Sequence, residues 1–227
     1  MSSRSIARTA LWHLLTVVLA LAAGGAAVAL LVPAGRGEQG VTLVRDGPSA
    51  VLYREVITTA AGAPPWVTAV GGGLPEAGLL VLVILVFVAT WMRRGDRWAR
   101  WLGAPVVLAG ALIADVLSGA VKTAVEEERP CRVFAGTVTW LACPAEGHWS
   151  YPSDHAAIAG ALAAGVVLLA RRLAPVAVPV ALLVAIARVL AGVHYPHDVL
   201  AGLLLGVAIA VACWAPAPWL TAPGACR

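Results

Sequence analysis

Long apolar stretches alternate with short polar intervals along most of the chain. A helix needs about 20 apolar residues to cross a bilayer. The pattern predicts six such helices, at about residues 10–32, 74–92, 103–121, 155–170, 175–191 and 198–214. The fourth stretch is the shortest and lies between Ser153 and Arg171, so it spans the membrane only with the help of its polar ends. The chain is therefore predicted to be an all-α integral membrane bundle of six transmembrane helices.

The chain before the second predicted helix contains a retained first helix and a long loop. The first apolar stretch follows Arg4 and Arg8, as in a signal peptide, but about 20 residues is too long for the core of such a peptide, so a retained helix is predicted. Residues 33–73 are rich in glycine and proline and predict an outer loop. Within it, Ser49 to Ala60 has the pattern of an amphipathic helix at the membrane surface. With no visible repeat, residues 1–227 are predicted to form a single domain.

Composition and charge agree with a membrane protein and give its orientation. The chain is 60% hydrophobic and 12% charged, and cytoplasmic loops carry the excess of Lys and Arg. With the N-terminus inside, the inner segments hold Arg4, Arg8, Arg93, Arg94, Arg97, Arg100, Arg171, Arg172 and Arg227. The outer segments hold Arg36, Arg45, Arg54, Lys122, Arg129, Arg132 and Arg188. Three of these outer cations belong to motifs described below, so both termini are predicted to be cytoplasmic in the cell membrane.

The net charge of +4 is therefore mostly a topology signal. Nucleic-acid binding would need a clustered basic face or an aromatic stacking platform, and the sequence shows neither. Cys131 and Cys143 both fall in the third interhelical loop, which the arginine pattern places outside, and a disulfide between them is predicted. Two free thiols remain the alternative, because spacing does not establish disulfide geometry.

The first polar cluster is Lys122 followed by Arg129 and Pro130, in the stretch KTAVEEERP. Seven residues make two helical turns, so both cations are expected on one helix face, with helix disfavoured after Pro130. Two cations on one face suit a cluster of anionic oxygens. The alternative is a solvated helix end whose cations pair with the acidic run 126–128.

The second cluster is Ser153, Asp154 and His155, where the fourth helix begins. Helix N-termini present unpaired N–H groups that bind phosphate, and the Ser153 hydroxyl can add a donor. The alternative reading is that Ser153 or Asp154 simply caps the helix. That reading leaves the adjacent histidine unexplained.

The third cluster is Arg188, His194 and Asp198, in the stretch ARVLAGVHYPHD. Arg188 is expected at the outer end of the fifth helix. The four-residue step from His194 to Asp198 lets the carboxylate hold the imidazole Nδ1–H, which leaves Nε2 able to attack. A loop histidine with an ordinary hydrogen bond is the alternative for His194 taken singly.

Together these stretches resemble the signature of the type 2 phosphatidic acid phosphatase superfamily. That signature reads Lys-x6-Arg-Pro, then Pro-Ser-Gly-His, then Ser-Arg-x5-His-x3-Asp, and here the three parts are KTAVEEERP, PSDH and ARVLAGVHYPHD. The order and internal spacings are kept across residues 122–198. The resemblance implies that Lys122, Arg129 and Arg188 bind the phosphate oxygens, with help from Ser153 and the backbone at Asp154.

The same resemblance implies a reaction through a histidine nucleophile. His194 would form a phosphohistidine, Asp198 would orient it, and His155 would protonate the leaving oxygen and then activate water. Three cations facing the phosphoryl group supply the charge stabilisation that phosphoryl transfer needs, so no metal or other cofactor is expected. The expected partners are the lipid phosphate substrate and membrane lipids, and the oligomeric state stays open.

Two positions depart from the signature, and they bear on the substrate. Asp154 stands in place of Gly, and Ala187 stands in place of Ser. A Pro-Ser-Asp-His form is similar to that of bacterial undecaprenyl-diphosphate phosphatases of the family. It favours a polyprenyl diphosphate, cleaved at the outer face. Phosphatidic acid, phosphatidylglycerol phosphate and lipid A phosphate remain alternatives.

Some of these residues are also compatible with two other classes of protein, a zinc hydrolase and a membrane transporter or structural protein. A zinc hydrolase could draw ligands from His148, His155, His194, His197, Asp154 and Asp198. Against it, the sequence has no helical histidine pair, and three cations would crowd a dication. A transporter or structural protein would place ionisable groups near the bilayer midplane, where only Asp115 is expected. Asp115 is expected to steady Lys122 or to have a structural role, and His148 and His197 are expected to be solvated or to support the site.

Overall fold

The computed structural model describes residues 3–34, 40–93 and 97–216, without the side chains of residues 3–6 and 97–99. The described residues form helices and one 3-10 turn, with one isolated bridge between Thr42 and Glu127 and no strand. The helices are α1 (Ser3–Leu31), α2 (Pro48–Ala60), α3 (Pro65–Met92), α4 (Arg97–Val125), α5 (Pro130–Val133), α6 (Asp154–Leu169), α7 (Ala174–Leu190) and α8 (Pro196–Trp214). The 3-10 turn covers Arg171–Leu173.

Five of these helices are long and apolar enough to cross a membrane, namely α1, α3, α4, α7 and α8. The remaining apolar helix, α6, is the fourth in chain order. It has 16 residues and so extends for about 24 Å, less than the roughly 30 Å of a bilayer core. It is almost completely enclosed by its neighbours, packing against α3, α4, α7 and α8. The predicted all-α membrane bundle with a short fourth apolar helix is confirmed, and the chain is a multi-pass membrane protein.

Two features between the first and second spanning helices differ from the prediction, the start of the second spanning helix and the burial of the surface helix. The second spanning helix begins at Pro65 instead of residue 74, so the outer loop is shorter than 33–73. A proline fits the first turn of a helix because its missing N–H has no partner there. The predicted surface helix exists as α2, but it buries Tyr53 and Ile57 against the bundle. It is therefore anchored to the rest of the protein.

Close packing of α6 against α8 sets the distance between two parts of the signature. A Cβ atom added at Gly202 would lie 2.4 Å from the Ser153 carbonyl oxygen, and one added at Gly206 would lie 2.0 Å from that of Ala157. Small residues let membrane helices approach at their backbones. The N-termini of α6 and α8 are held together in this way, and the Ser153 N–H donates to the Asp198 carbonyl oxygen at 3.1 Å.

The segment between α4 and α6 folds over this end of the bundle. Glu126 follows α4 with a positive φ of 50°, and the next residue pairs with Thr42 through its backbone. Cys131 and Cys143 form a disulfide with their Cα atoms 5.9 Å apart. Five arginines on which the predicted orientation depends lie outside the residues whose side chains are described, namely Arg4, Arg36, Arg94, Arg97 and Arg227.

Candidate active site

The three polar clusters meet at one end of the bundle. Lys122 lies in the last turn of α4, His155 in the first turn of α6, Arg188 in the last turn of α7 and Asp198 in the first turn of α8. His194 lies in the short connection between α7 and α8. Residues that are far apart in sequence thus surround one small volume.

His194 lies between a carboxylate and a cation. Its side chain is 2% exposed. The imidazole Nδ1 lies 3.2 Å from Asp198 Oδ2, and Nε2 lies 3.2 Å from Nη1 of Arg129. A proton on Nδ1 facing the carboxylate leaves a lone pair on Nε2. Burial lowers the pKa of His194 well below its ordinary value, and the charges of Arg129 and Lys122 lower it further. Both effects favour the neutral imidazole, whose Nε2 faces the Arg129 guanidinium.

The Asp198 carboxylate is itself held in place. Its Oδ2 accepts hydrogen bonds from the Ser150 hydroxyl at 2.5 Å and from the Tyr195 N–H at 2.8 Å. Ser150 was not singled out as a site residue from the sequence, although it lies only three residues before Ser153. Several donors on one buried carboxylate fix its orientation and, through it, that of the imidazole.

Lys122 and Arg129 converge, but not through helical periodicity. The helix ends at Val125, and Glu126 turns the chain, so Arg129 lies in an extended segment beyond it. Both cations donate to the Trp149 carbonyl oxygen, Lys122 Nζ at 3.3 Å and Arg129 Nη2 at 3.2 Å. The prediction that both cations lie on one helix face was therefore wrong, although the two side chains do come together. The two cations meet because the loop folds back.

Both cations bind further carbonyl groups. Arg129 donates to the carbonyl oxygen of His148 at 2.6 Å and to that of Val193 at 2.9 Å. Lys122 donates to Ser150 at 3.1 Å and to Pro152. Burial, together with the charge of Arg188, lowers the pKa of Arg129 to about 10, so its guanidinium is still charged at neutral pH.

Arg188 and Ser153 are the two buried groups of the signature with unused donors. Arg188 is 7% exposed, and its buried side-chain Nε has no hydrogen-bond partner among the residues that the structure describes. Ser153 precedes α6, yet its buried hydroxyl neither caps that helix nor meets another described polar group. Buried donors without partners are costly. An anion at the N-terminus of α6 would satisfy both residues.

Asp154 and His155 each face a specific partner. The Asp154 carboxylate accepts from the Ser118 hydroxyl at 2.6 Å and lies 3.5 Å from Lys122 Nζ, so a cation balances the charge that replaces the signature glycine. His155 Nε2 lies 3.4 Å from a carboxylate oxygen of Glu76 on α3. Sequence spacing gave no indication of Glu76. Asp115, by contrast, makes no ion pair with Lys122 in the described structure.

The groups weighed as zinc ligands do not assemble as that reading requires. In the part of the chain that is described, one group of His, Asp and Glu side chains converges, and it consists of Glu127, His197 and Asp198. His197 Nε2 is hydrogen-bonded to Glu127 Oε2 at 3.1 Å and lies 3.2 Å from Asp198 Oδ1. His155 and His194 are outside this group.

The chain is similar to one protein family and to several known phosphatases. The family model described as the PAP2 superfamily matches residues 98–221. Decaprenylphosphoryl-5-phosphoribose phosphatase of Mycobacterium tuberculosis is 34% identical over 138 residues, which cover 58% of this chain and 67% of the relative. Lipid A 1-phosphatase of Rhizobium etli is 31% identical over 112 residues, which cover 48% of this chain and 47% of that relative.

Two solved structures share the fold. A transmembrane PAP2-type phosphatidylglycerolphosphate phosphatase from Bacillus subtilis aligns with a TM-score of 0.57 and 22% identity, covering 88% of this chain and 94% of that one. LpxE of Aquifex aeolicus aligns with a TM-score of 0.58 and 21% identity, covering 76% of this chain and 98% of that one. The family match covers more than half of the chain and includes the entire signature. The chain belongs to the PAP2 superfamily, among its membrane lipid phosphatases.

Proposed function

We propose that this protein removes a phosphate from a polyprenyl-linked lipid at the outer face of the membrane, through a phosphohistidine at His194. The observation that carries the proposal is the environment of that imidazole, which has Asp198 on Nδ1 and a cation facing Nε2. A neutral histidine whose lone pair faces a cation is arranged to attack a bound phosphoryl group. The Asp154 form of the motif favours undecaprenyl diphosphate as the substrate.

The reaction then has two steps. In the first, His194 Nε2 forms a bond to phosphorus while the bond to the leaving oxygen breaks and His155 gives that oxygen a proton. In the second, His155 takes a proton from water, and the resulting oxygen attacks phosphorus and breaks the N–P bond. Inorganic phosphate leaves, and both histidines return to their starting states. Arg188 and the N–H groups at the start of α6 are proposed to bind the phosphoryl oxygens.

The leaving-group side of the site supports a second candidate substrate. His155 faces the carboxylate of Glu76, which would repel a leaving group that is itself a phosphate. A sugar or alcohol leaving group has no such charge and depends more on a proton from His155. Together with the relative named decaprenylphosphoryl-5-phosphoribose phosphatase, this supports a phosphate carried on the sugar of a polyprenyl-linked lipid.

Phosphate release by purified protein in detergent and chelator tests the proposal. The substrates are undecaprenyl diphosphate, a polyprenyl-linked sugar phosphate, phosphatidic acid and phosphatidylglycerol phosphate. We expect chelator-resistant release from a polyprenyl substrate, lost in His194→Ala and kept in His13→Ala, a matched change on the distant helix α1. Acid-labile radiolabelled phosphate bound to the wild type but absent from His194→Ala would identify the intermediate. Release from the glycerolipids alone would reject the polyprenyl proposal.

The outer location of the site has separate support and a separate test. A disulfide between Cys131 and Cys143 in the site-covering loop suits an oxidising compartment. With Cys213 and Cys226 changed to Ser, an impermeant maleimide applied to intact cells should label Val138→Cys in that loop. It should not label Arg171→Cys at the opposite end of α6. The reverse labelling would place the site inside.

A further inference from the structure

His197 directly precedes Asp198 but occupies no position in the signature. Its side chain is 11% exposed, and its ring stacks between those of Tyr151 and Tyr195, with centroid distances of 5.7 and 5.4 Å. Both ring nitrogens have partners. Nδ1 lies 2.7 Å from the Ser49 hydroxyl on α2, and Nε2 faces two carboxylates.

The Asp198 carboxylate divides its contacts between two histidines. Its Oδ2 faces His194 at 3.2 Å and accepts from Ser150. Its Oδ1 is buried and makes no hydrogen bond with a described residue, but His197 Nε2 lies 3.2 Å from it. The two imidazoles therefore lie against different oxygens of one carboxylate, so the position of the His197 ring bears on how that carboxylate can rotate.

Glu127 holds the other side of this arrangement. It is 0% exposed, and its Oε2 lies 3.1 Å from His197 Nε2. Its backbone is fixed as well, because the Ser150 N–H donates to the Glu127 carbonyl oxygen at 2.8 Å and Thr42 pairs with the same segment. Because Ser49 Oγ accepts from the His197 backbone N–H, its own proton can face Nδ1, and the ring proton is then on Nε2. The His197 ring is thereby locked.

We propose that His197, locked by Glu127 and Ser49, is a positioning residue that fixes the Asp198 carboxylate so that its Oδ2 stays on the Nδ1–H of His194. This inference rests on the proposed function in one respect, the role of His194 as the nucleophile. Partners that orient a functional histidine or carboxylate commonly change rates by about 10 to 100-fold when removed. A role in packing alone would depend on the ring and not on the donor at Nε2.

Two amide variants separate these roles. In His197→Gln the side-chain amide nitrogen reaches the position of Nε2, whereas in His197→Asn it reaches only that of Nδ1. We expect His197→Asn to lower kcat by at least about tenfold with KM within twofold of the wild type, and His197→Gln to recover most of that loss. His197→Phe, which keeps an aromatic ring between the tyrosines, should resemble His197→Asn in kcat. Its melting temperature should fall as well, because Glu127 and Ser49 lose a partner.

The experiment uses full-length protein in detergent, with the lipid panel above and with p-nitrophenyl phosphate as a substrate without a lipid tail. Equal loss in His197→Gln and His197→Asn, or wild-type kcat in His197→Phe, overturns the inference and leaves the proposed function standing. Hydrolysis of p-nitrophenyl phosphate without any lipid hydrolysis rejects the lipid substrate and still decides the inference. No hydrolysis of any phosphate by folded protein rejects both, because His194 is then not a nucleophile.

Discussion

Replacing Glu127 by Gln is expected to change how the stability of the protein depends on pH. The Glu127 carboxyl is fully buried, and its Oε1 has no partner among the described residues. Burial, with the negative charge of Asp198, raises the pKa of this carboxyl from 4.5 to about 8. At pH 7 it is therefore protonated in the folded protein and ionised in the unfolded chain.

The sign of the effect follows from this difference in bound protons. Between pH 4.5 and about 8 the folded protein keeps a proton that the unfolded chain has lost, so the contribution of Glu127 to stability falls as pH rises. The two pH units between pH 5.5 and 7.5 then correspond to roughly 3 kcal/mol. For a chain of this size that equals roughly 5–10 °C in melting temperature. Gln cannot ionise, so the variant lacks this slope.

Melting curves of the detergent-solubilised protein from pH 5 to 9, followed by tryptophan fluorescence, measure the effect. The melting temperature of Glu127→Gln minus that of the wild type should increase from pH 5.5 to 7.5 and change little above pH 8. Glu55→Gln, at an exposed position on α2, removes a carboxylate without burial and controls for net charge. A difference that is independent of pH, or that decreases as pH rises, would contradict this prediction.

Four other predictions concern side chains of the site and the disulfide. Arg129→Ala should lower both melting temperature and activity, because buried carbonyls lose their donor. Arg188→Ala should keep the wild-type melting temperature and lose about 100-fold or more in kcat/KM, and equal destabilisation of both variants would contradict this. His155→Ala should slow hydrolysis of an alkyl phosphate far more than that of p-nitrophenyl phosphate, whose leaving group needs little protonation; equal slowing would argue against His155 as the acid. Replacing Cys131 and Cys143 by Ser should lower stability by about 3 kcal/mol, measured by melting with and without reductant, and a variant as stable as the oxidised wild type would contradict it.

The spanning helices were predictable because hydropathy is a local property of the sequence. A run of apolar residues has no alternative in a bilayer to a helix that satisfies its own backbone. The error at the start of α3 has a local cause too. The stretch from Pro64 to Gly73 has the composition of a loop, but the first-turn proline and the glycines are compatible with a helix that packs against other parts of the protein. Gly71, for example, packs against Trp140.

The site was predictable where its contacts are local and unpredictable where they are not. The pairing of His194 with Asp198 follows from a four-residue step, and sequence spacing identifies it. The contact of Ser49 with His197 joins residues 148 positions apart, and nothing in either segment indicates the other. Glu76 reaches His155 from α3 for the same reason. The position of Glu127 depends on the left-handed residue before it, which a helical reading of the acidic run cannot foresee.

The three basic residues of the signature look equivalent in sequence, but their contacts separate them. Lys122 and Arg129 donate to carbonyl groups between residues 148 and 152, so they fix the segment that brings Ser150 to Asp198. Arg188 keeps its donors unused among the described residues. A cation whose donors already bind carbonyls can attract an anion but has few hydrogen bonds left for it. Direct contact with the phosphoryl oxygens is therefore expected mainly from Arg188 and the N-terminus of α6, while the other two cations set the distance between that anion and the nucleophile.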